Sequence, residues 1–535
     1  MRRYLPLFAF EIFCKALPNR SFPPMLAKIY SAAVYGVNAY EVEIEVNAGA
    51  GDPKMVIVGL PDAAVKESKD RVRTAIANSA YKWSRKRTTI NLAPADIKKE
   101  GPSFDLPIAL GMIAVAEGLN TSAFEKFSFV GELALDGSVR PVKGVLPVAL
   151  EARRRGKQAL FVPEANALEA AMVNKIDIYG VHNLRETFQF LRGELPLLPT
   201  RGDLTGFFAT HQNYDVDFAD VKGQAHVKRA IEVAVAGGHN ILMIGPPGSG
   251  KSMLSKRIPT IIPPMSLDEA IETTKIHSIA GCLDGQKSFV STRPFRSPHH
   301  TISDIGLLGG GAFPTPGEVS LANNGVLFLD ELPEFKRSAL EVMRQPLEDG
   351  KVTISRAAGS LTFPSEFMLV AAMNPCPCGY FGDLKRECRC SPVIVQRYRQ
   401  RISGPLLDRI DLHIEVPAVE YRDVSSERME ENSAAIRERI ARGRQKQHER
   451  FAHDAKTTCN ARMTTRHLKT YCKLSADSQE LIRVAMTELN LSARAYDRIL
   501  KVSRTIADLD DKIDIAPEHV SEAIQYRTFD RTLWI

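Results

Sequence analysis

Apolar and polar positions divide the chain into stretches of different rhythm. Between Ala27 and Leu191, strands and helices are mixed. Residues 40–46, Tyr-Glu-Val-Glu-Ile-Glu-Val, alternate strictly, which puts Val42, Ile44 and Val46 on one face of a half-buried strand. Lys54–Leu60 reads as a second strand closed by Gly59-Leu60-Pro61, Asp62–Ser79 has helical spacing, and Thr88–Leu92 is another strand. Val145–Arg155 then predicts a helix and Ala159–Val162 a strand, giving an α+β domain. Gly193, Pro196, Pro199, Gly202 and Gly206 break the pattern over 193–215, which reads as a linker. From Phe218 to Val416 the rhythm is β-α-β, and beyond Val424 it is helical over Ser433–Arg450, Ser478–Leu489, Ala493–Asp508 and Pro517–Tyr526.

Composition narrows the class. The 535 residues are 44% hydrophobic and 25% charged, which excludes a mostly disordered or collagen-like chain. No apolar run approaches the ~20 residues needed to cross a bilayer. The net charge of +7 is mild and does not demonstrate a nucleic-acid partner. Eight cysteines are too sparse for a secreted disulfide framework, and four of them crowd into 376–390. The start, MRRYLPLFAFEIFC, imitates a signal peptide, but Glu11 and Lys15 interrupt it and no small-residue cleavage site follows. Residues 1–24 are read as a start-site extension and the protein as cytoplasmic.

The strongest chemical signal is Gly245-Pro246-Pro247-Gly248-Ser249-Gly250-Lys251-Ser252, which follows the apolar strand Ile241–Ile244. Backbone N–H groups of such a loop, with the dipole of the helix after it, favour phosphate. Lys251 is expected to reach the terminal phosphates of ATP and Ser252 to hold magnesium. A second apolar strand ends in Asp330-Glu331. Phosphoryl transfer needs metal charge neutralisation and an oriented nucleophile, so Asp330 is assigned to magnesium and Glu331 to the attacking water. The strand Phe367–Met373 ends in Asn374, a candidate to position water beside the γ-phosphate.

Cys376-Pro-Cys378 and, nine residues on, Cys388-Arg-Cys390 follow directly. Four thiolates can close a tetrahedral structural zinc site. The C-x-C spacing is tighter than the common C-x-x-C knuckle, and reduced thiols or a redox switch are the alternative readings. His299 and His300 have no spaced carboxylate or cysteine beside them and are read as loop residues rather than metal ligands.

These motifs resemble the AAA+ ATPases, in the branch holding the magnesium-chelatase ATPase subunit and the MCM helicases. The resemblance implies that Gly404-Pro-Leu-Leu-Asp-Arg409 presents an arginine finger, Arg409, to a neighbouring subunit, and that Arg494 of Leu491-Ser-Ala-Arg494 acts as a second sensor. Either arginine can instead form a surface ion pair. A finger acting in trans requires a ring, so a hexamer is expected. Arg293, Arg296, Lys351 and Arg356 lie in the insertions that mark this branch and are candidate DNA phosphate contacts. The basic runs Arg437–Arg450 and Arg85-Lys86-Arg87 read equally as solvated faces.

The N-terminal region resembles the proteolytic domain of Lon proteases. Lys99-Glu-Gly-Pro-Ser103-Phe-Asp is similar to the motif of the Lon nucleophile, and Gly131–Gly144 and Phe161-Val-Pro-Glu164 match the same fold. Where the Lon pattern has its catalytic lysine this chain has Val145-Leu146-Pro147, with Lys143 displaced. A serine nucleophile needs a base, so Ser103 is read as a structural remnant of an inactive domain.

The order of motifs from Met25 to Leu509 resembles the ComM/YifB family of magnesium-chelatase-like proteins. The expected architecture is α/β and multidomain: an extension (1–24), a Lon-protease-like α+β domain (25–192), a linker (193–215), an AAA+ α/β P-loop core with the cysteine cluster (216–423) and a helical lid (424–535). The resemblance implies a hexameric ATP-driven motor, with ATP, Mg2+ and structural Zn2+, that promotes branch migration of recombination intermediates during natural transformation. Its partners are then single-stranded and branched DNA, with no membrane. A chelatase-like ATPase remodelling a protein partner, and an ATP-dependent protease, are the alternatives.

Overall fold

The computed structural model describes residues 26–527, apart from 85, 100, 203–213, 284–288, 312–313, 357–358, 384–385, 420–429, 455–456 and 490. The extension 1–24 and Arg85 therefore lie outside the described residues, as does the Arg356 side chain. The chain forms two compact units, one of residues 1–209 with 270–290, the other of 210–269 with 291–535.

In the first unit, β1 (Leu26–Tyr35), β2 (Asn38–Gly49), β3 (Met55–Val58) and β4 (Arg87–Ala93) make a sheet of order β1-β2-β4-β3. The alternation over 40–46 becomes the buried face of β2: Val42, Ile44 and Val46 are fully enclosed, while Glu43 and Glu45 turn to Lys28 on β1. Each such aliphatic side chain contributes about 1.5–3 kcal/mol by leaving water. Helix α1 (Ala63–Asn78) starts where the Asp62 carboxylate accepts the Val65 N–H at 2.8 Å. Helix α2 (Asp105–Glu117) is buried nearly all round over its first ten residues, packed among Ile29, Val46 and Leu92. A parallel three-stranded sheet, β5 (Phe127–Phe129), β6 (Ala159–Pro163) and β7 (Asp177–Val181), stacks Phe129 on Phe161 and Phe161 on Tyr179. Helices α3 (Val145–Arg154) and α4 (Leu184–Leu191) complete this unit's main framework.

The second unit is built on an all-parallel five-stranded sheet. Helix α5 (Ala225–Gly237) precedes strand β8 (Ile241–Ile244), and α6 (Lys251–Ile261) follows it. The remaining strands are β9 (Phe295–Arg296), β10 (Val326–Leu329), β13 (Met368–Met373) and β14 (Leu412–Glu415), in the order β9-β10-β13-β8-β14. Between them a hairpin, β11 (Lys351–Arg356) with β12 (Gly359–Pro364), pairs Val352 with Phe363 and Ile354 with Leu361. Strands β8, β10 and β13 are buried along their whole length, as a parallel sheet covered on both faces requires. Helices α7 (Ser433–Arg450), α8 (Ala476–Glu488), α9 (Ala493–Leu509) and α10 (Pro517–Gln525) share one continuous core with that sheet, from Val326 and Val370 to Ile440, Ile499 and Val520.

Polar pins lock these helices to the sheet. Buried His239 meets Asp411 at 3.2 Å through Nδ1 and Thr505 at 2.8 Å through Nε2, and Arg498 pairs with the same Asp411 at 2.6 Å. Buried Asp508 accepts from Arg450, Arg504 and Asn460. The basic helix α7 is thereby largely accounted for: Arg439 pairs with Glu232, Lys446 with Asp511 and Arg450 with Asp508, and Arg444 donates to the Val235 carbonyl.

Candidate nucleotide site

In an open parallel sheet, ligands meet the carboxyl ends of the strands. Three neighbouring strands here deliver polar residues to that edge. Strand β8 runs into Gly245, β13 into Asn374 and β10 into Asp330, with β13 in the middle. The turn out of β8 places Gly250 at φ +88°, a left-handed conformation that lets the loop enter helix α6 at Lys251. The Gln224 side chain, ahead of α5, donates to the Ser249 and Pro417 carbonyls at 3.0 and 2.8 Å and so ties the loop to the chain beyond β14.

Lys251 is buried, and its Nζ donates to the Gly245 and Pro246 carbonyls at 2.8 and 2.9 Å and lies 3.3 Å from Asn374 Oδ1. Burial pulls its ammonium below the usual lysine range, and the Asp330 charge opposes that fall. The Ser252 hydroxyl donates to Asp330 Oδ2 at 2.6 Å. The structure thus gathers Lys251, Ser252, Asp330 and Asn374 from three elements. The Lys251 ammonium lies against Asn374, and Ser252 and Asp330 supply oxygen ligands of the type magnesium prefers.

Glu331 follows in the left-handed region, at φ +54°, an uncommon place for a glutamate. Its N–H donates to Asp330 Oδ1 at 2.9 Å, and its carboxylate lies 3.3 Å from His300 Nδ1. His300 in turn packs on His299 and edge-on to Phe335. The His299–His300 pair is therefore loop packing beside Glu331. Its role there lacked a local signal, because the residues are 31 apart in sequence and meet only through the fold.

The two arginines expected from the AAA+ resemblance sit apart from this group. Arg409 pairs with Glu348 and donates to the Pro405 carbonyl, and its side chain is only 12% exposed. Arg494 is 66% exposed, with Asp408 Oδ2 at 3.5 Å. Two of the candidate DNA contacts are used internally: Arg293 reaches Glu269 and the Pro263 and Asn324 carbonyls, and Arg296 holds Glu318 through two hydrogen bonds. Their basic charge stabilises the insertion itself. Lys351, by contrast, is exposed on the hairpin. The four cysteine sulfurs lie within 4.8 Å of one another.

In the first unit, the lysines near Ser103 are directed elsewhere. Lys99 is fully buried, with its Nζ on the Pro94 and Ile97 carbonyls, and burial holds its ammonium below the usual range. Lys143 is exposed. Asp105, two residues past Ser103, is buried and accepts from Ser68, Arg71 and the Leu133 N–H.

A parallel sheet with this loop and these strand-end acids defines a P-loop ATPase module of the magnesium-chelatase AAA+ type. Residues 217–424 match the family model described as magnesium chelatase, subunit ChlI; 44–166 match subunit ChlI of Mg-chelatase, and 430–527 match its C-terminal model. The chain is 44% identical over 513 residues to the competence protein ComM of Haemophilus influenzae, covering 95% of this chain and 98% of that one. It is 43% identical over 510 residues to the uncharacterized protein YifB of Salmonella typhimurium, with the same coverages. A shorter likeness, 26% over 197 residues, relates 33% of the chain to 34% of Lon protease 2 of Bacillus subtilis. The chain belongs to the ComM/YifB family of magnesium-chelatase-like proteins.

Proposed function

We propose that the protein is a hexameric ATP-driven DNA motor that promotes branch migration of recombination intermediates during natural transformation. The observation that carries the ATPase part is the meeting of Lys251, Ser252, Asp330 and Asn374 at one sheet edge. In this reading Lys251 exchanges the Gly245 and Pro246 carbonyls for phosphate oxygens. Ser252 and Asp330 hold magnesium, which supplies charge neutralisation on the phosphates. Glu331 orients the attacking water and accepts its proton, and Asn374 positions that water. Arg409 acts on the neighbouring subunit's nucleotide after release from Glu348, and Arg494 reaches the γ-phosphate from the helical region. The competence name of the Haemophilus relative supports a DNA substrate, and Lys351 on the exposed hairpin is the phosphate contact of choice. The four cysteines hold a structural zinc, and the first unit is a Lon-like domain without proteolytic activity.

The test is branch migration on a labelled three- or four-strand junction with ATP, comparing wild type with Glu331→Gln. Resolution by wild type alone is the expected result, with the variant still binding ATP. ATP hydrolysis without binding of junctions or single strands at low salt would overturn the DNA reading. It would favour the second one, a chelatase-like ATPase remodelling a protein partner, which the family models over three segments of the chain support.

A further inference from the structure

The stretch from Cys376 to Cys390 leaves the sheet edge immediately after Asn374 and has little apolar packing of its own. Among its described residues only Cys376 and Gly379 are buried, and Phe381 is 46% exposed. An apolar core therefore does not fix its shape. Besides hydrogen bonds linking Tyr380, Asp383 and Arg386, it has a sulfur cluster: Cys376 Sγ is 3.3 Å from Cys378 Sγ and 3.6 Å from Cys388 Sγ, and Cys378 Sγ is 3.6 Å from Cys388 Sγ. These separations are far from a disulfide bond of about 2.05 Å. They lie close to the edge of about 3.8 Å expected of a tetrahedron with zinc–sulfur bonds of about 2.3 Å. Backbone N–H groups of Tyr380 and Arg389 donate to Cys378 and that of Cys390 to Cys388, the kind of surrounding that orients thiolate ligands.

This knuckle also touches the phosphate loop. Gly379, at φ +87°, closes the turn by donating to the Cys376 carbonyl at 3.0 Å. A Cβ added there would stand 2.4 Å from Cδ and 2.7 Å from Cγ of Pro247, so the knuckle backbone lies directly on the loop. On the other side, Arg399 donates to the Pro375 carbonyl at 3.2 Å and lies over the Phe381 ring. Asn374, two residues before Cys376, is itself beside Lys251.

We infer that zinc held by Cys376, Cys378, Cys388 and Cys390 braces the phosphate loop through the contact of Gly379 with Pro247, so that metal occupancy sets nucleotide affinity. This rests on reading residues 245–252 as the nucleotide loop and the four thiolates as a zinc site. Without the metal, a segment lacking its own core loosens, and Pro247 loses the surface that limits its motion.

The test uses full-length protein purified without added zinc. Metal analysis and the Kd of a fluorescent ADP analogue are measured on the same sample. The Kd is measured again after a chelator has stripped zinc and magnesium has been resupplied, and once more after zinc is returned. One zinc per chain, an affinity about tenfold weaker after stripping, and recovery on reloading are expected. Cys388→Ser should lose the metal and match the stripped protein. Gly379→Ala should keep the metal yet bind ADP more weakly. Zinc present with an unchanged Kd after stripping would overturn the coupling and leave the zinc site standing. Well under one equivalent of zinc would overturn the site. Wild-type protein that binds zinc but no nucleotide would instead overturn the nucleotide reading. Because stripping and reloading use the wild-type chain, the result does not depend on either variant folding.

Discussion

Two regions of this protein carry dense, motif-like runs of functional residue types, and the fold treats them differently. Around Lys251 the ends of three adjacent parallel strands bring a cation against an amide and a hydroxyl against a carboxylate. Around Ser103 the nearby ionisable groups are drawn apart. Lys99 is bonded to two carbonyls, Asp105 is bonded to Arg71 and Ser68, and the exposed Lys143 lies against Gly281. A buried amine or carboxylate satisfied by fixed partners stabilises its surroundings; to act chemically it must be able to exchange those partners for a substrate. In the first case the partners of Lys251 are loop carbonyls, which a phosphate can replace. In the second, Asp105 is held by Ser68 and Arg71 of helix α1, parts of the domain's own framework, and Lys99 closes its own turn on the Pro94 and Ile97 carbonyls.

The largest effect that would sharpen this contrast is Arg409→Ala, expected to lower ATP turnover by ~10³–10⁵-fold. Mixed with an inactive Glu331→Gln protein, it should regain part of the rate if its guanidinium serves a neighbour. Co-assembled mixtures that regain nothing would assign Arg409 to its internal pair with Glu348. Next, Lys251→Ala should abolish measurable nucleotide binding while leaving the melting temperature near that of the wild type, read by fluorescent ADP titration and calorimetry.

On the other side of the comparison, Asp105→Ala should destabilise the first unit by about 1–3 kcal/mol, because Ser68, Arg71 and the Leu133 N–H lose their shared buried acceptor. Ser103→Ala should leave both stability and ATP turnover within about twofold of wild type. ATP-dependent peptide cleavage that disappears in Ser103→Ala would break the contrast outright.

The smallest expected effect is on pH. Burial holds the His239 imidazole below its ordinary value of 6.5; Lys501 and Arg498 add to this and Asp411 opposes it. The unfolded chain then takes up the proton first. His239 therefore contributes stability in full above about pH 7, and that contribution is lost progressively as pH falls below 6.5. Thermal unfolding between pH 7.5 and 5.5 should show this slope, and His239→Gln should flatten it.

Periodicity and spacing were enough to place most of the elements. The alternation at 40–46, the capped helix after Asp62, the strands before Lys251 and Asp330 and the C-terminal helices all rest on patterns contained within one element. The strand, turn and helix around residues 245–252 were legible for the same reason, because the motif lies in consecutive residues with a strand and a helix joined directly to it. The basic residues were less legible. Arg293 and Arg296 read in sequence as candidate phosphate contacts and α7 equally as a solvated face, whereas the fold pairs Arg293, Arg296, Arg439 and Arg450 with Glu269, Glu318, Glu232 and Asp508. A charge has no period that reveals its partner, and its Coulomb energy depends on distance and burial alone.

Within each element, then, local chain geometry and side-chain type decided the outcome, and these can be read from consecutive residues. Contacts across elements needed the folded chain. His300 beside Glu331, Gln224 on the Ser249 carbonyl and Gly379 against Pro247 each join residues 25 to 132 positions apart through packing. Such meetings depend on strand order and on how the sheet packs with its helices, which no single stretch of the sequence encodes.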